Sequence, residues 1–303
     1  MTKTILIVLF ISCSVLAQKQ VPSIIFVSDT QQPLWIETLR LKEHDNEKAA
    51  RAIFNAIEQE STAVGIFHLG DITSMGMFDS YWHTFDEFRK NIRVPFYPVI
   101  GNHEYYLFKK PALDQLQNRF PAISATWYSV VIKSVAIIIL NSNFSKLSDD
   151  EKTQQDRWYS AQLSGFESDS TVRAIIVLCH HSPYTNSTIV DPSQEVQSRF
   201  VEPFVSHHKT MVFISGHAHA YEHFQKDGKE FLVIGGGGGL LHPLLTGTQQ
   251  RSYDMFSQAL SLRFFHFAEC SFRPNSLLFS IKKFRNDATG FDVVDTVSVV
   301  YRK

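Results

Sequence analysis

Five short blocks of this 303-residue chain carry carboxylate, amide and imidazole side chains: Asp29, Gly70-Asp71, Asn102-His103-Glu104, His180-His181 and His217-Ala218-His219. Each follows an apolar run. The donor types are oxygen and imidazole, without thiolate, a set that suits iron, manganese or zinc. A single carboxylate has two oxygens and can bridge two cations. Asp71, after Phe67-His68-Leu69-Gly70, is the candidate for that bridge. Taken singly each block is weak, since Gly-Asp and His-x-His recur by chance. The signal is their order and their shared place after strand-like runs, because sites in α/β sheets form outside the carboxyl ends of strands.

The segments that lead into the blocks read as strands at 23–28, 64–69, 94–100, 172–179 and 210–214. Between the first two, apolar residues at 49, 50, 53, 54 and 57 give helical spacing over 46–60. Strand, helix, strand is a βαβ unit with a right-handed crossover. Further helices are expected at 81–90, 113–120, 149–163 (capped by Ser148 with Glu151) and 195–207, the last interrupted at Pro203. A hairpin is expected from 127–133 and 135–140, and a strand at 231–234 ahead of glycines 235–239. The tail at 264–272, 276–284 and 293–301 alternates as antiparallel strands joined by polar turns. Alternating elements followed by strands alone imply stacked mixed sheets covered by helices, and no linker composition divides the chain.

Composition is that of a globular protein, 44% hydrophobic and 13% aromatic. A net charge of −1 provides no basic field for nucleic acid or a membrane surface. Residues 1–17 read as a secretory signal peptide: Lys3, an apolar run too short to span a bilayer comfortably, then Val15-Leu16-Ala17 before Gln18. The expected location is secreted or periplasmic, with no stable membrane span after leader removal. A lipid anchor at Cys13 ranks second, since Phe10 is a poor start for a lipobox. The domain expectation is therefore a leader at 1–17 and a single domain at 18–303. Cys179 and Cys270 sit in strand-like runs and are expected as buried free thiols.

The ordered blocks, with Gly101 before Asn102 and Gly216 before His217, resemble those of the calcineurin-like metallophosphoesterases. Within that superfamily the chain looks most like the purple acid phosphatases. Ala218 to His223 resembles their last motif, except that the usual terminal arginine is His223. The resemblance spans roughly 22–303. It implies an α/β (α+β) fold, a four-layer α/β/β/α sandwich of two mixed β-sheets flanked by helices. It also implies a dimetal site bridged by Asp71, with Asp29 and His219 on the first metal and Asn102, His180 and His217 on the second; His181 is the fallback for His180. His103 is implied as the catalytic group near substrate, and Glu104 as the residue that orients its ring. The implied chemistry is hydrolysis of a small phosphate ester by a metal-activated hydroxide, aided by proton donation from His103.

The pattern departs from the family at two positions. Where many relatives have histidine, two residues after the first aspartate, this chain has Gln31. A weaker amide donor there would make the first metal exchangeable and would admit manganese or magnesium. Where the purple enzymes have tyrosine, three residues after the bridge, it has Ser74, so no charge-transfer colour is expected. Phosphate monoesters are the first substrate reading. A phosphodiesterase or nucleotide hydrolase on the same metals is the alternative, with a non-catalytic binding protein third. Several neighbouring features carry plainer readings. His68 reads as a satisfied buried histidine. Trp35, Tyr105, Tyr106 and Tyr184 read equally as core or pocket wall. The glycine run lacks a following Lys-Ser or Lys-Thr and reads as close backbone approach rather than a P-loop. Asn143-Phe144-Ser145 and Asn186-Ser187-Thr188 match the glycosylation acceptor pattern.

Overall fold

Period-two alternation divides the strands between a shared interior and two helix-covered outer faces. A computed structural model describes residues 20–302 except 286, 288 and 289; the expected leader and Cys13 lie outside the described residues. In β1 (Ser23–Val27), Ile24 and Phe26 enter one core while Ile25 and Val27 enter another. The same division runs through β5 (Val135–Ile139) and β6 (Ala174–Leu178): Ile137 and Ile176 face the first core, Ile138 and Val177 a third. Strands this apolar on both faces must be covered on both.

Between β1 and β5 lie α1 (Asn46–Gln59), β2 (Ala63–His68), α2 (Asp79–Arg89), β3 (Phe96–Pro98), α3 (Lys109–Arg119) and β4 (Tyr128–Ile132). Then α4 (Asp149–Ser168) precedes β6, and α5 (Gln194–Val196), a π-helical turn (Gln197–Val201) and α6 (Glu202–Ser206) lead to β7 (Thr210–Ser215). The chain ends with β8 (Tyr221–Lys226), β9 (Lys229–Ile234), β10 (His266–Phe272), β11 (Ser276–Phe284) and β12 (Phe291–Val300). One sheet runs β12-β11-β10-β1-β2-β3 and the other β4-β5-β6-β7-β9-β8. Both are mixed: β1 pairs parallel with β2 and antiparallel with β10, and β7 pairs parallel with β9, which pairs antiparallel with β8.

The two sheets share one core, in which Phe26, Phe67 and Phe279 of the first meet Ile137, Ile176 and Ile214 of the second. Helices α1 to α3 cover the first sheet, with Phe54, Trp82 and Phe85 packed together, and α4 to α6 cover the second through Tyr159, Leu163, Phe200 and Phe204. This is the expected four-layer sandwich. Ser148 and Glu151 close a reciprocal capping box on α4. Cys179 and Cys270 are buried and free. No helix of the described residues is long and apolar enough to cross a membrane.

Several boundaries differ from the sequence reading. The helix expected at 113–120 starts at Lys109, because Pro111 falls in the first turn, where no backbone N–H is required. The helix expected at 149–163 runs on to Ser168. The helix expected at 195–207 is broken in its α-helical pattern just ahead of Pro203: a π-helical turn separates α5 from α6, in which Pro203 is the second residue. The strand at 94–100 shortens to Phe96–Pro98 between its two prolines. Strand β8 has no counterpart among the expected elements.

Candidate metal centre

The donor blocks stand at carboxyl ends of parallel strands of both sheets, and the backbone there is bent into conformations that L-residues seldom adopt. Asp29 (φ 56°), Asp71 (φ 52°) and His217 (φ 67°) are left-handed, each just past the end of β1, β2 or β7. Strained backbone of this kind persists only where its surroundings over-determine it, and it gathers at functional sites. The glycines ahead of the donors permit the crowding. A β-carbon at Gly101 would lie 2.1 Å from Asp71 Oδ1, and one at Gly216 would lie 2.0 Å from Ser28 Oγ and 2.6 Å from Asp29 Oδ2.

Two groups of donor atoms result, Asp71-His180-His217 and Asp29-Asp71-His219, with the atoms of each group within 4.8 Å of one another. They share Asp71. His180 Nε2 is 3.3 Å from Asp71 Oδ2 and 3.1 Å from Asn102 Oδ1; His219 Nε2 is 3.4 Å from Asp29 Oδ1. His180 Nδ1 donates to the Leu69 carbonyl at 2.9 Å and His219 Nδ1 to the Leu240 carbonyl at 2.7 Å. Those bonds fix the tautomer and turn Nε2 of each ring inward as the free donor, the arrangement that orients metal-ligating histidines. Gln31 closes the second group, with Nε2 3.4 Å from His219 Nε2 and Oε1 buried without a partner. Inward lone pairs, a shared carboxylate and an unpartnered amide oxygen fit two cations.

The electrostatics point the same way. Burial alone opposes ionisation of Asp71, but His180 and then His103 outweigh it and hold the carboxyl well below its ordinary range. Burial likewise lowers His180, yet the Asp71 charge raises it to about 9; His219 is raised by its bond to Asp29 against the same burial. A cation entering either group competes with a proton for the same inward nitrogen, so metal binding there is expected to weaken as pH falls. His217 is pushed well below the ordinary value by burial and by its neighbours His181 and His180, so its ring is neutral and its lone pair available.

Of the adjacent histidines, His180 enters the donor group and His181 does not. Ser142 Oγ meets His181 Nδ1 at 2.8 Å, and burial lowers His181 to about 3. His103 lies beside the centre, with its backbone N–H donating to Asp71 Oδ1 at 2.9 Å and Nε2 3.9 Å from Asp71 Oδ2. Glu104 does not orient it, contrary to the sequence reading: His103 Nδ1 donates to the Ser74 carbonyl at 2.9 Å. The Glu104 carboxylate instead accepts four backbone N–H groups, from Asp71, Ile72, Thr73 and Gly101, at 2.7–3.2 Å. It ties the Asp71 turn to the turn that carries Asn102. Burial, reinforced by the Asp71 charge, pushes Glu104 up to about 7.

The remaining candidates divide. His68 is buried but only half satisfied: Nε2 meets Thr30 Oγ1 at 2.9 Å, Nδ1 has no partner, and burial lowers the ring to about 3. Tyr105 is core, Tyr106 stacks on His103 with centroids 5.9 Å apart, Trp35 is exposed, and Tyr184 packs on Phe224 and Phe231. The glycine run approaches the centre as expected; a β-carbon at Gly239 would lie 2.6 Å from His219 Cε1. Asn143 and Asn186 are buried and donate to backbone carbonyls, so neither is an accessible glycosylation acceptor. His242, which follows no apolar strand run and so carries no sequence signal, stacks on His219 with ring centroids 4.2 Å apart.

A family model described as calcineurin-like phosphoesterase matches residues 22–221. Purple acid phosphatase 1 of Ipomoea batatas is 25% identical over 193 residues, 55% of this chain and 39% of that protein; the match thus spans well under half of that relative's length. Among solved structures, GAP50, the anchor in the inner membrane complex of Plasmodium, superposes with a TM-score of 0.69 at 13% identity, over 93% of this chain and 89% of that one. A purple acid phosphatase from yellow lupin (Lupinus luteus) seeds gives 0.63 at 17% identity over 93% and 54%. A dimetal phosphatase from Danio rerio gives 0.61 at 16% over 93% and 99%. At these identities the structural likeness concerns the fold.

Proposed function

The chain belongs to the calcineurin-like phosphoesterase family, and we propose that it is a dimetal phosphomonoesterase with acid phosphatase-like specificity. The observation that carries the reading is the pair of donor groups that share Asp71. Asp29 and His219, with the Gln31 amide beside them, would hold one cation, Asn102, His180 and His217 would hold the other, and Asp71 would serve both. Bound there, two such cations stabilise charge on phosphoryl oxygens and acidify water toward hydroxide near neutral pH. His103 acts through Nε2, since Nδ1 is committed to the Ser74 carbonyl. As attack on phosphorus breaks the bond to the ester oxygen, His103 Nε2 supplies a proton to that oxygen. Tyr106 covers the imidazole face and limits where the ring can turn. Glu104 holds the two turns in register, so the donors need no rearrangement during reaction. A secreted or periplasmic location, from residues 1–17, belongs to the same proposal.

Phosphate release from an aryl phosphate and from its bis-aryl diester tests this reading. The metal-loaded protein is expected to show the higher kcat/KM on the monoester. Preference for the diester replaces the monoesterase reading with the alternative, and inertness on both supports a non-catalytic role for the scaffold.

A further inference from the structure

A pocket of about 490 Å³ opens beside the Asp29-His219 group. His219 forms part of its wall, together with Leu240, whose carbonyl holds His219 Nδ1. The rest of the lining comes mainly from two segments that the proposed chemistry leaves unused: 36–41, with Ile36, Leu39 and Leu41, and Ile189 in the loop after β6. Ile36, Leu39 and Ile189 are 52%, 72% and 45% exposed. Aliphatic side chains are thus held in water against a centre built for charge, where an ester is expected to release its alcohol. An apolar wall with a few placed polar groups is the usual make-up of a small-molecule site.

The polar groups here are few. His242 Nδ1 accepts the His219 backbone N–H at 3.2 Å and meets Ser187 Oγ at 3.2 Å. With Nδ1 accepting, the ring's proton sits on Nε2, and His242 is one of the few polar residues in the lining. Glu37 Oε1 stands 3.6 Å from His103 Nε2, and Arg40 is the one Arg or Lys in the lining. One guanidinium in a lining that also holds a carboxylate is a poor seat for further phosphates. Aliphatic walls would also leave the hydroxyls of a sugar without partners, which is costly on burial.

Building on the phosphomonoesterase reading, we propose that this pocket is the leaving-group subsite and that the protein selects phosphate monoesters of apolar aryl or alkyl alcohols over those of sugars and nucleosides. Binding and turnover test this separately in the metal-loaded full chain. By calorimetric titration, benzylphosphonate, whose C–P bond is not hydrolysed, is expected to bind at least about 10-fold more tightly than methylphosphonate. Leu39→Asn and Ile189→Asn, both at exposed positions, should each cut that ratio by about 3-fold or more. Equal affinities in the unmodified protein, or a ratio that survives both substitutions, overturns the subsite. In turnover, cyclohexylmethyl phosphate and glucose 6-phosphate are both esters of primary alcohols. A kcat/KM about 10-fold higher for the first supports the proposal, and preference for the sugar ester overturns it. Selective phosphonate binding with no turnover of any ester keeps the pocket's preference and overturns the phosphatase reading instead.

Discussion

Glu104→Gln is nearly isosteric, yet it should loosen the whole centre. The carboxylate uses Oε1 for the N–H groups of Ile72 and Thr73 and Oε2 for those of Asp71 and Gly101. A glutamine keeps one oxygen and turns an NH2 toward the other two donors. Those two buried N–H groups lose their acceptor, at roughly 1–3 kcal/mol each, so destabilisation of about 2–6 kcal/mol is expected. In a chain of this size that is a fall in Tm of about 4–10 °C. The released turns carry Asp71 and Asn102, so affinity for added Mn²⁺ or Zn²⁺ should also fall about 10- to 100-fold, as when an outer support of a metal ligand is removed. Thermal melts of the metal-free protein and calorimetric metal titration read the two effects. A variant within about 0.5 kcal/mol of the unmodified protein, with equal metal affinity, would refute the role assigned to Glu104.

Three further substitutions address the site and its surroundings. Gln31→His replaces an amide whose oxygen is buried and unpartnered with a stronger donor; the first cation should bind about 10-fold more tightly, and unchanged metal occupancy counts against a place for Gln31 at that site. Gly216→Ala puts a methyl group 2.0 Å from Ser28 Oγ and 2.6 Å from Asp29 Oδ2, costing about 1–3 kcal/mol; weakened metal binding in a folded variant is expected, and an unaffected Asp29 site contradicts the crowding argument. Glu222 is buried, accepts from Thr185 Oγ1 at 2.5 Å and the Asn186 N–H at 2.7 Å, and is pushed up to about 7 by burial. Its folded value exceeds the unfolded one of about 4.5, so its contribution is complete below that pH and is lost as pH rises toward 7. Between pH 5 and 8, denaturant titrations of Glu222→Gln against the unmodified protein should shift in the variant's favour by roughly 2–3 kcal/mol; a constant difference would contradict the shift.

The donor blocks were legible because each follows an apolar run and because their order resembles that of the calcineurin-like metallophosphoesterases, which implied their convergence. Asp tolerates the left-handed turn that ends β1 and β2, which is why carboxylates stand there. The Glu104 contacts were not legible, since three of its four partners lie 31–33 residues away. Nor could alternation choose between His180 and His181, neighbours whose side chains diverge; Ser142, 39 residues away, holds the second one aside. The overlooked strand β8 is an edge strand whose exposed residues are polar. Its signal was the Asp227-Gly228 pair before β9, both residues with positive φ, a two-residue hairpin turn. The interruption near Pro203 was legible from the ring, which cannot donate to the ladder, but its form, a π-helical turn at Gln197–Val201, was not.

The central claim is that Asp71 joins two cation sites into one hydrolytic centre. Metal analysis of the purified protein and of Asp71→Asn, each assayed for phosphate release from an aryl ester, tests it most directly. The unmodified protein is expected to hold about two ions per chain and to turn over the ester. Asp71→Asn should hold about one ion or fewer and lose activity at least roughly 10³-fold, the equivalent of about 4 kcal/mol of charge stabilisation. An Asp71→Asn protein with both ions in place and turnover intact would contradict the account.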